Sequence, residues 1–267
     1  MAQNFEIIPG DSASTVILHV PHAARFIPAE VRFEILLNDA ELLAELNSVT
    51  DSRTDEIAMV AADKSAIKPW LFINRFSRLV IDPERFPDDR EIMNKVGMGA
   101  VYRKISTGQD LRSTDFSGEQ VLLESYFHPY AQALEELVES RLEANGSVTI
   151  IDVHSYRPEQ HLNAVNQGRK RPAMCIGTDE FHTPKNLIDA TTTSFSNLGD
   201  AYENEPYAGT YVPLKFYGVD NRVHSIMMET RADIFLDNAF EFHSGAQAVI
   251  RGLADLISKI GESARSE

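Results

Sequence analysis

Short apolar runs alternate with longer segments of helical periodicity along the whole chain. Four of the runs are continuous and rich in β-branched or large aliphatic residues, which is typical of buried strands. They are TVILHV (15–20), VTIIDV (148–153), MCIG (174–177) and VHSIMME (223–229). Two shorter runs of similar character, WLFIN (70–74) and RLVID (78–82), predict two further strands.

The segments between these runs carry apolar residues at helical spacing. They predict helices at about 39–46, 51–63, 126–145, 184–198 and 238–260. Asp39 suits the N-cap of the first helix, and Gly146 suits the left-handed position that ends the third. Strands that alternate with helices predict an α/β fold with a mixed, mainly parallel central sheet flanked by helices. Without a repeat or linker, we expect a single domain over residues 1–267.

One long segment breaks the alternation. From Pro83 to about Gly118 the composition becomes polar, with four scattered glycines and few residues of obvious core character. Long loops inside compact domains usually have a functional role. The sequence therefore predicts a loop over 83–118 that covers a site.

The composition of the chain excludes several classes of function. The 267 residues contain 25 Lys and Arg against 40 Asp and Glu, a formal net charge of −15. This acidity argues against a nucleic-acid partner, and no apolar run reaches the roughly 18 residues that a membrane helix needs. The N-terminus lacks the features of a secretory signal, and Cys175 is the single cysteine. We expect a cytoplasmic protein in which Cys175 is an inert core thiol.

Polar side chains that can carry out chemistry occur where three predicted strands end. His22 follows the first strand, His154 follows VTIIDV, and Glu229 ends VHSIMME. The carboxyl ends of strands are where functional groups gather in open α/β sheets. Two imidazoles and a carboxylate at one crevice indicate a metal site. The alternative is structural: two hydrogen-bonded loop histidines, and a Glu229 that pairs with Arg231 or Arg222 on the surface.

A catalytic zinc ion usually has three protein ligands and leaves one position for water. The segment TDSRTDEIA supplies the third candidate, Asp51 or Asp55, which share a helix face if both are helical. We favour Asp51, although a helix N-cap and a first-turn acid would explain both residues equally well. His19 is expected to be a core residue or a support for the site.

Arginines follow WLFIN closely, at Arg75, Arg78 and Arg85. They are either solvated ion pairs or groups that grip a substrate carboxylate and polarise a carbonyl. The Tyr-rich segment NEPYAGTYVPLKFYG, which contains Tyr211, either lines a pocket or forms an aromatic-packed loop. A serine hydrolase is not indicated, because no G-x-S-x-G turn surrounds Ser155.

Taken in order, these motifs resemble the N-formylglutamate amidohydrolase family. The matching segments are HVPHAARFIP (19–28), TDSRTDEIA (50–58), SRLVIDPERFPDD (77–89), YFHPYAQALEEL (126–137), VTIIDVHSY (148–156), NEPYAGTY (204–211) and VHSIMMETRADIFLD (223–237). The resemblance implies a phosphorylase/hydrolase-like fold, related to that of zinc carboxypeptidases and aspartoacylases. It also implies hydrolysis of the amide bond of a small N-acyl amino acid, with N-formylglutamate as the default substrate.

The resemblance also assigns roles to individual residues. It implies one zinc ion (Zn2+) per chain, held by His22, His154 and an acid from the Asp51/Asp55 pair. Glu229 would be the general base that takes a proton from water and returns it to the leaving amine. Among the remaining candidates, Arg78 or Arg75 would stabilise the oxyanion, while Arg85 and Tyr211 would contact substrate.

One departure from the family pattern concerns the substrate. The chain has Asp82-Pro83-Glu84-Arg85 where related proteins commonly have Asp-Leu-Asn-Arg, so an acid replaces an amide beside the expected carboxylate-binding arginine. Glu84 would oppose a dianionic substrate unless it points away or pairs with Arg85. Two alternatives therefore stay open: a zinc deacylase or carboxypeptidase-like hydrolase with another substrate, and a catalytically silent binding protein of the same fold.

Overall fold

A computed structural model describes residues 3–165 and 167–263. Its centre is a seven-stranded mixed sheet. The strands are β1 (Phe5–Ile8), β2 (Val16–Val20), β3 (Trp70–Asn74), β4 (Val148–Tyr156), β5 (Met174–Gly177), β6 (Ala201–Glu203) and β7 (Val223–Arg231). They lie in the order β1-β3-β2-β4-β7-β5-β6. Four neighbouring pairs are parallel, while β1 runs antiparallel to β3, and β5 antiparallel to β7. The predicted mainly parallel α/β sheet is confirmed.

Helices cover both faces of this sheet. They are α1 (Ala29–Arg32), α2 (Asp39–Val49), α3 (Thr54–Lys64), α4 (Glu119–Leu122), α5 (His128–Asn145), α6 (Lys185–Ser194) and α7 (Ala246–Ser263). A π-helical turn, Leu123–Phe127, joins α4 to α5, and Ile92–Val96 forms a short 3₁₀ helix. Within the described residues, no helix is both long and apolar enough to cross a membrane.

Side chains of the central strands alternate between the two faces, and each face has its own core. Val16, Leu18 and Val20 of β2 pack with residues of α3 and α7 on one face. Ile17 lies on the other face with Phe72 and residues of α5. Because β2, β4 and β7 are adjacent and parallel, their carboxyl ends lie at the same edge of the sheet.

The boundaries of several elements differ from those that the sequence predicts. RLVID is a buried turn rather than a strand. The Leu79 amide donates a hydrogen bond to the Ser77 hydroxyl, and the Val80 amide donates one to the Ser77 carbonyl. A short apolar run does not distinguish between these two structures. The cap of α2 is Asn38, one residue before the predicted Asp39, and it forms a reciprocal capping box with Glu41.

Two predicted helices begin later than expected. The helix predicted from Asp51 begins at Thr54, so Asp51 lies in the preceding loop and does not share a helix with Asp55. The last helix begins at Ala246, because residues 236–242 form a small bridged turn instead. The long 83–118 segment is mostly irregular as predicted, but it is not without a core: Tyr102 and Leu111 are fully buried within it.

Candidate functional site

The polar residues at the carboxyl ends of β2, β4 and β7 lie at one edge of the sheet. His22 follows β2 by two residues, and His154 lies near the end of β4. Glu229 lies directly beside His154 in the parallel register of β4 and β7. Asp51 reaches this edge from the loop before α3, where its backbone amide bonds the carbonyl of His22. A local loop contact therefore holds Asp51 beside the histidine.

His22, Asp51 and His154 form a buried cluster with the dimensions of a metal site. The two Nδ1 atoms are 3.3 Å apart, and Asp51 Oδ2 is 3.0 Å from that of His154 and 3.8 Å from that of His22. Ligands on a tetrahedral ion with bonds of about 2.0 to 2.1 Å are separated by roughly 3.3 Å. The three ligand atoms thus fit a zinc-sized ion.

Hydrogen bonds on the far side of both rings support the same conclusion. His22 Nε2 is 2.9 Å from Asp82 Oδ1, and His154 Nε2 is 3.2 Å from Asp152 Oδ1. Protons on these Nε2 atoms would leave the Nδ1 lone pairs of the two rings available to a metal ion. Without an ion, a proton on His154 Nδ1 would bond Asp51 Oδ2, which is 3.0 Å away. Carboxylate–histidine pairs of this kind commonly orient metal ligands.

Asp82 is the centre of the network behind His22. It is fully buried and accepts from two nitrogens of Arg78, at 3.1 and 2.7 Å, and from the Tyr102 hydroxyl at 3.0 Å. Burial alone would raise the pKa of Asp82, but the neighbouring groups, Arg78 first among them and then His22 and Arg85, together outweigh it and hold this pKa well below its usual range. Asp82 is therefore an anion that fixes the ring of His22.

Behind His154 the corresponding network has a second acid. Asp152 also contacts His19 Nδ1 at 2.9 Å, and the Nε2 of His19 is 2.6 Å from the Tyr130 hydroxyl. Glu84 lies between the rings, 3.2 Å from His154 Nε2, 3.6 Å from His22 Nε2 and 3.5 Å from His19 Nδ1. Burial and repulsion from Asp152 raise the pKa of Glu84 to about 7. Glu84 thus points towards the histidines and not towards Arg85.

Glu229 is buried, and its Oε2 atom has no hydrogen-bond partner among the described residues. An unpaired buried carboxyl oxygen is costly unless a ligand or water completes the site. Burial raises the pKa of Glu229 to about 8, within reach of a proton-transfer role near neutral pH. Surface pairing does not explain this residue, since Arg231 pairs with Asp233 and Arg222 with Asp220.

The three candidate metal ligands and Glu229 face a cavity of about 410 Å³, a size typical of small-molecule sites. Arg78 and Arg85 also line it, as the sequence suggests. Its walls come from the 83–118 loop, the segment after β4, the loop after β6 and the segment after β7. The 83–118 loop therefore does cover a cavity.

Three predicted residues lie elsewhere. Arg75 bonds Glu6 at 2.8 Å and Asp55 at 3.2 Å at the edge of β3, so neither Arg75 nor Asp55 lines the cavity. Tyr211 is behind the cluster, where its ring is 4.8 Å from the ring of His19 and its amide bonds Asp152. The proposed contacts of Arg75 and Tyr211 with substrate have no counterpart in this geometry.

Several site residues are not found by reasoning from the sequence. For Asp152 the sequence does contain a signal, because residues two apart on a strand lie on the same face of the sheet. Asp152 therefore lies on the same face as His154. Tyr102, Arg157 and Tyr207 line the cavity from loops, and no periodic signal marks them. His161 also lines it; its pKa is lowered to about 4 by burial and nearby arginines.

The fold and the site together define a mixed α/β protein whose adjacent strand ends hold a cluster able to bind a metal ion. The family model for N-formylglutamate amidohydrolase matches residues 14–236, and the chain belongs to this amidohydrolase family. The family acts on small molecules, and the sequence-based resemblance is confirmed. No curated protein matches the chain in sequence.

Two solved structures share the fold. One is an N-formylglutamate amidohydrolase from Ralstonia eutropha JMP134, with a TM-score of 0.81, 19% identity and 99% of each chain covered. The other is a gene product from Agrobacterium tumefaciens, with a TM-score of 0.70, 20% identity, and coverage of 100% of this chain and 97% of the other. At these identities the likeness concerns the fold.

Proposed function

We propose that the protein is a zinc-dependent amidohydrolase that cleaves the linear amide of an N-acyl amino acid. N-Formylglutamate, which would give formate and glutamate, is the reference substrate. The observation that carries the proposal is the pair of Nδ1 atoms 3.3 Å apart, beside a carboxylate and an unpaired buried glutamate. His/His/carboxylate sets with an open position suit zinc, although other divalent ions would also bind.

His22, Asp51 and His154 would hold one zinc ion per chain. When bound, the ion would lower the pKa of water from about 15.7 towards 7 and polarise the scissile carbonyl. Asp82 and Asp152 hold the two imidazoles in the tautomer that leaves Nδ1 free for the ion.

Glu229 carries the protons in this proposal. Its unpaired Oε2 accepts a proton from the attacking water and then donates it to the leaving amine, which requires a pKa near the working pH. Arg78 and Arg85 face the same cavity. We assign Arg78 to the charge that develops on the carbonyl oxygen and Arg85 to the substrate carboxylate.

Formate release from N-formylglutamate tests the proposal. We expect no release by protein stripped with a chelator, recovery after one equivalent of zinc, and a loss of about 10²- to 10⁴-fold in Glu229→Gln that keeps its zinc. Release by metal-free protein, or full activity in Glu229→Gln, would contradict it. Activity on other N-acyl amino acids alone would keep the reaction class and replace the substrate.

A further inference from the structure

Among the described residues, three arginines line the cavity, and they differ in what their charges contact. Arg78 and Arg85 both pair with Asp82, at 2.7 and 3.5 Å. Arg157, from the segment after β4, has no anionic partner within residues 3–165 and 167–263. Its guanidinium instead lies over the ring of Phe240, 4.9 Å from the centroid. Arg157 is therefore the cavity arginine whose charge the surrounding protein does not neutralise.

The titratable groups around the cavity do not supply an anion for Arg157. Asp51 and Glu84 both lie against the imidazole of His154. His161 also lines the cavity, and burial together with nearby arginines, Arg157 among them, lowers its pKa to about 4. The ring of His161 is thus uncharged near neutral pH and adds no counter-charge. A ligand anion is the partner that this arrangement leaves open to Arg157.

The surroundings of Arg157 hold it in place. Arg171 donates to the Arg157 carbonyl through two nitrogens, at 3.1 and 2.7 Å, and its guanidinium lies over the ring of Tyr156. Phe240, the ring partner of Arg157, has a φ of 62°, a left-handed conformation that is unfavourable for a bulky residue. Strained residues persist where the surrounding structure holds them, often at ligand-binding sites. A side chain held in this way loses little conformational entropy when it binds a ligand.

Resting on the proposed function, we infer that Arg157 is a specificity-determining residue that binds the side-chain carboxylate of a dicarboxylate substrate, while Arg85 binds the α-carboxylate. The two arginines reach the cavity from different segments, Arg85 from the 83–118 loop and Arg157 from beyond β4. Arginine matches a carboxylate with two parallel N–H groups, and such charge-assisted bonds are about twice as strong as neutral ones. Glu84 does not oppose this carboxylate, because it points towards the histidines.

Binding tests the inference separately from catalysis. The affinities of zinc-loaded Glu229→Gln for N-acetyl-glutamate and N-acetyl-glutamine are measured by calorimetry. These two compounds have nearly the same size and shape and differ in the charge of the side chain. We expect the glutamate compound to bind at least about tenfold more tightly, because only its side chain forms a charge-assisted pair with the guanidinium.

Variants of Arg157 locate the preference. Arg157→Gln in the same background should bring the ratio of the two affinities to about one, and should change the affinity for the glutamine compound by less than about threefold. Arg157→Lys keeps the charge but loses the paired N–H groups, so it should lower the ratio by about threefold or more. The control is Arg251→Gln, which removes the same charge from an exposed position on α7 that does not line the cavity. It should leave the ratio unchanged.

The inference is overturned if the two compounds bind equally well before Arg157 is changed, if neither binds, or if Arg157→Gln keeps the preference for glutamate. A preference that depends on Arg157, with no hydrolysis of any N-formyl amino acid by zinc-loaded wild type, would sustain the inference on binding and refute the proposed function. Hydrolysis of N-formylglutamine as efficient as that of N-formylglutamate would sustain the proposed reaction and refute the role of Arg157. The two failures are therefore distinguishable.

Discussion

Replacing Glu84 by glutamine is expected to move two properties in opposite directions: the metal-free protein becomes more stable, and its zinc affinity falls. Glu84 is 13% exposed and lies within 3.6 Å of three histidine nitrogens. Burial and Asp152 raise its pKa from 4.5 to about 7 on folding. Glutamine keeps the size of the side chain and removes the charge.

The stability effect follows from this difference in pKa. Between pH 4.5 and 7 the folded protein holds a proton on Glu84 that the unfolded chain has lost, so stability falls as pH rises through this window. Above pH 7 the cost is on the order of 3 kcal/mol, since each tenfold difference corresponds to about 1.4 kcal/mol. Urea unfolding of metal-free Glu84→Gln should show most of this gain at pH 8, and less than about 1 kcal/mol at pH 5.

The metal effect has the opposite sign. A carboxylate behind a ligating imidazole contributes about 10- to 100-fold to metal affinity, and Asp152 still supports His154 in the variant. We expect zinc affinity, measured against a competing chelator at pH 8, to fall by about tenfold. A variant that is less stable than wild type at pH 8, or that binds zinc equally well, would refute this account of Glu84.

Three further predictions concern the neighbouring groups. Asp82→Asn should lower the free energy of unfolding by about 3 to 5 kcal/mol in urea titrations because it strands the buried charge of Arg78; Asp88→Asn, which breaks an exposed pair with Arg90, should have little effect. The apparent zinc affinity should fall with decreasing pH, because nearby carboxylates, led by Glu84, raise the pKa of His154 despite its burial, and zinc must displace the proton on this ring. A zinc affinity that does not depend on pH would exclude His154 as a ligand. Arg85→Ala should raise KM for a substrate with a free α-carboxylate about tenfold or more and leave that for its α-amide almost unchanged, and equal effects would remove Arg85 from this role.

The sequence predicts the central sheet and the meeting of His22, His154 and Glu229 for the same reason. Buried strands have a local signature, and parallel neighbours share an edge, so side chains at their carboxyl ends meet. The short run RLVID shows the limit of this reasoning. Its apolar residues are buried as expected, but hydrogen bonds to Ser77 make the run a turn.

The supporting residues depend on contacts that no local pattern encodes. Asp82 contacts His22 because the turn formed by RLVID brings the two side chains together, and Tyr102 donates to the same carboxylate from the 83–118 loop. The choice of Asp51 over Asp55 as the acidic metal ligand likewise depends on contacts that no local pattern encodes. The later start of α3 leaves Asp51 in a loop bonded to His22, while Asp55 turns towards Arg75.

That pair of acids also provides the sharpest test of whether His22, Asp51 and His154 bind a catalytic metal. Zinc stoichiometry and affinity are determined for metal-free wild type, Asp51→Ala and Asp55→Ala by titration against a chromogenic chelator. We predict one tightly bound zinc per chain in wild type and Asp55→Ala, and an affinity at least about 100-fold lower in Asp51→Ala, which lacks one of three ligands. Equal zinc binding in all three proteins, or none in wild type, would exclude this metal site.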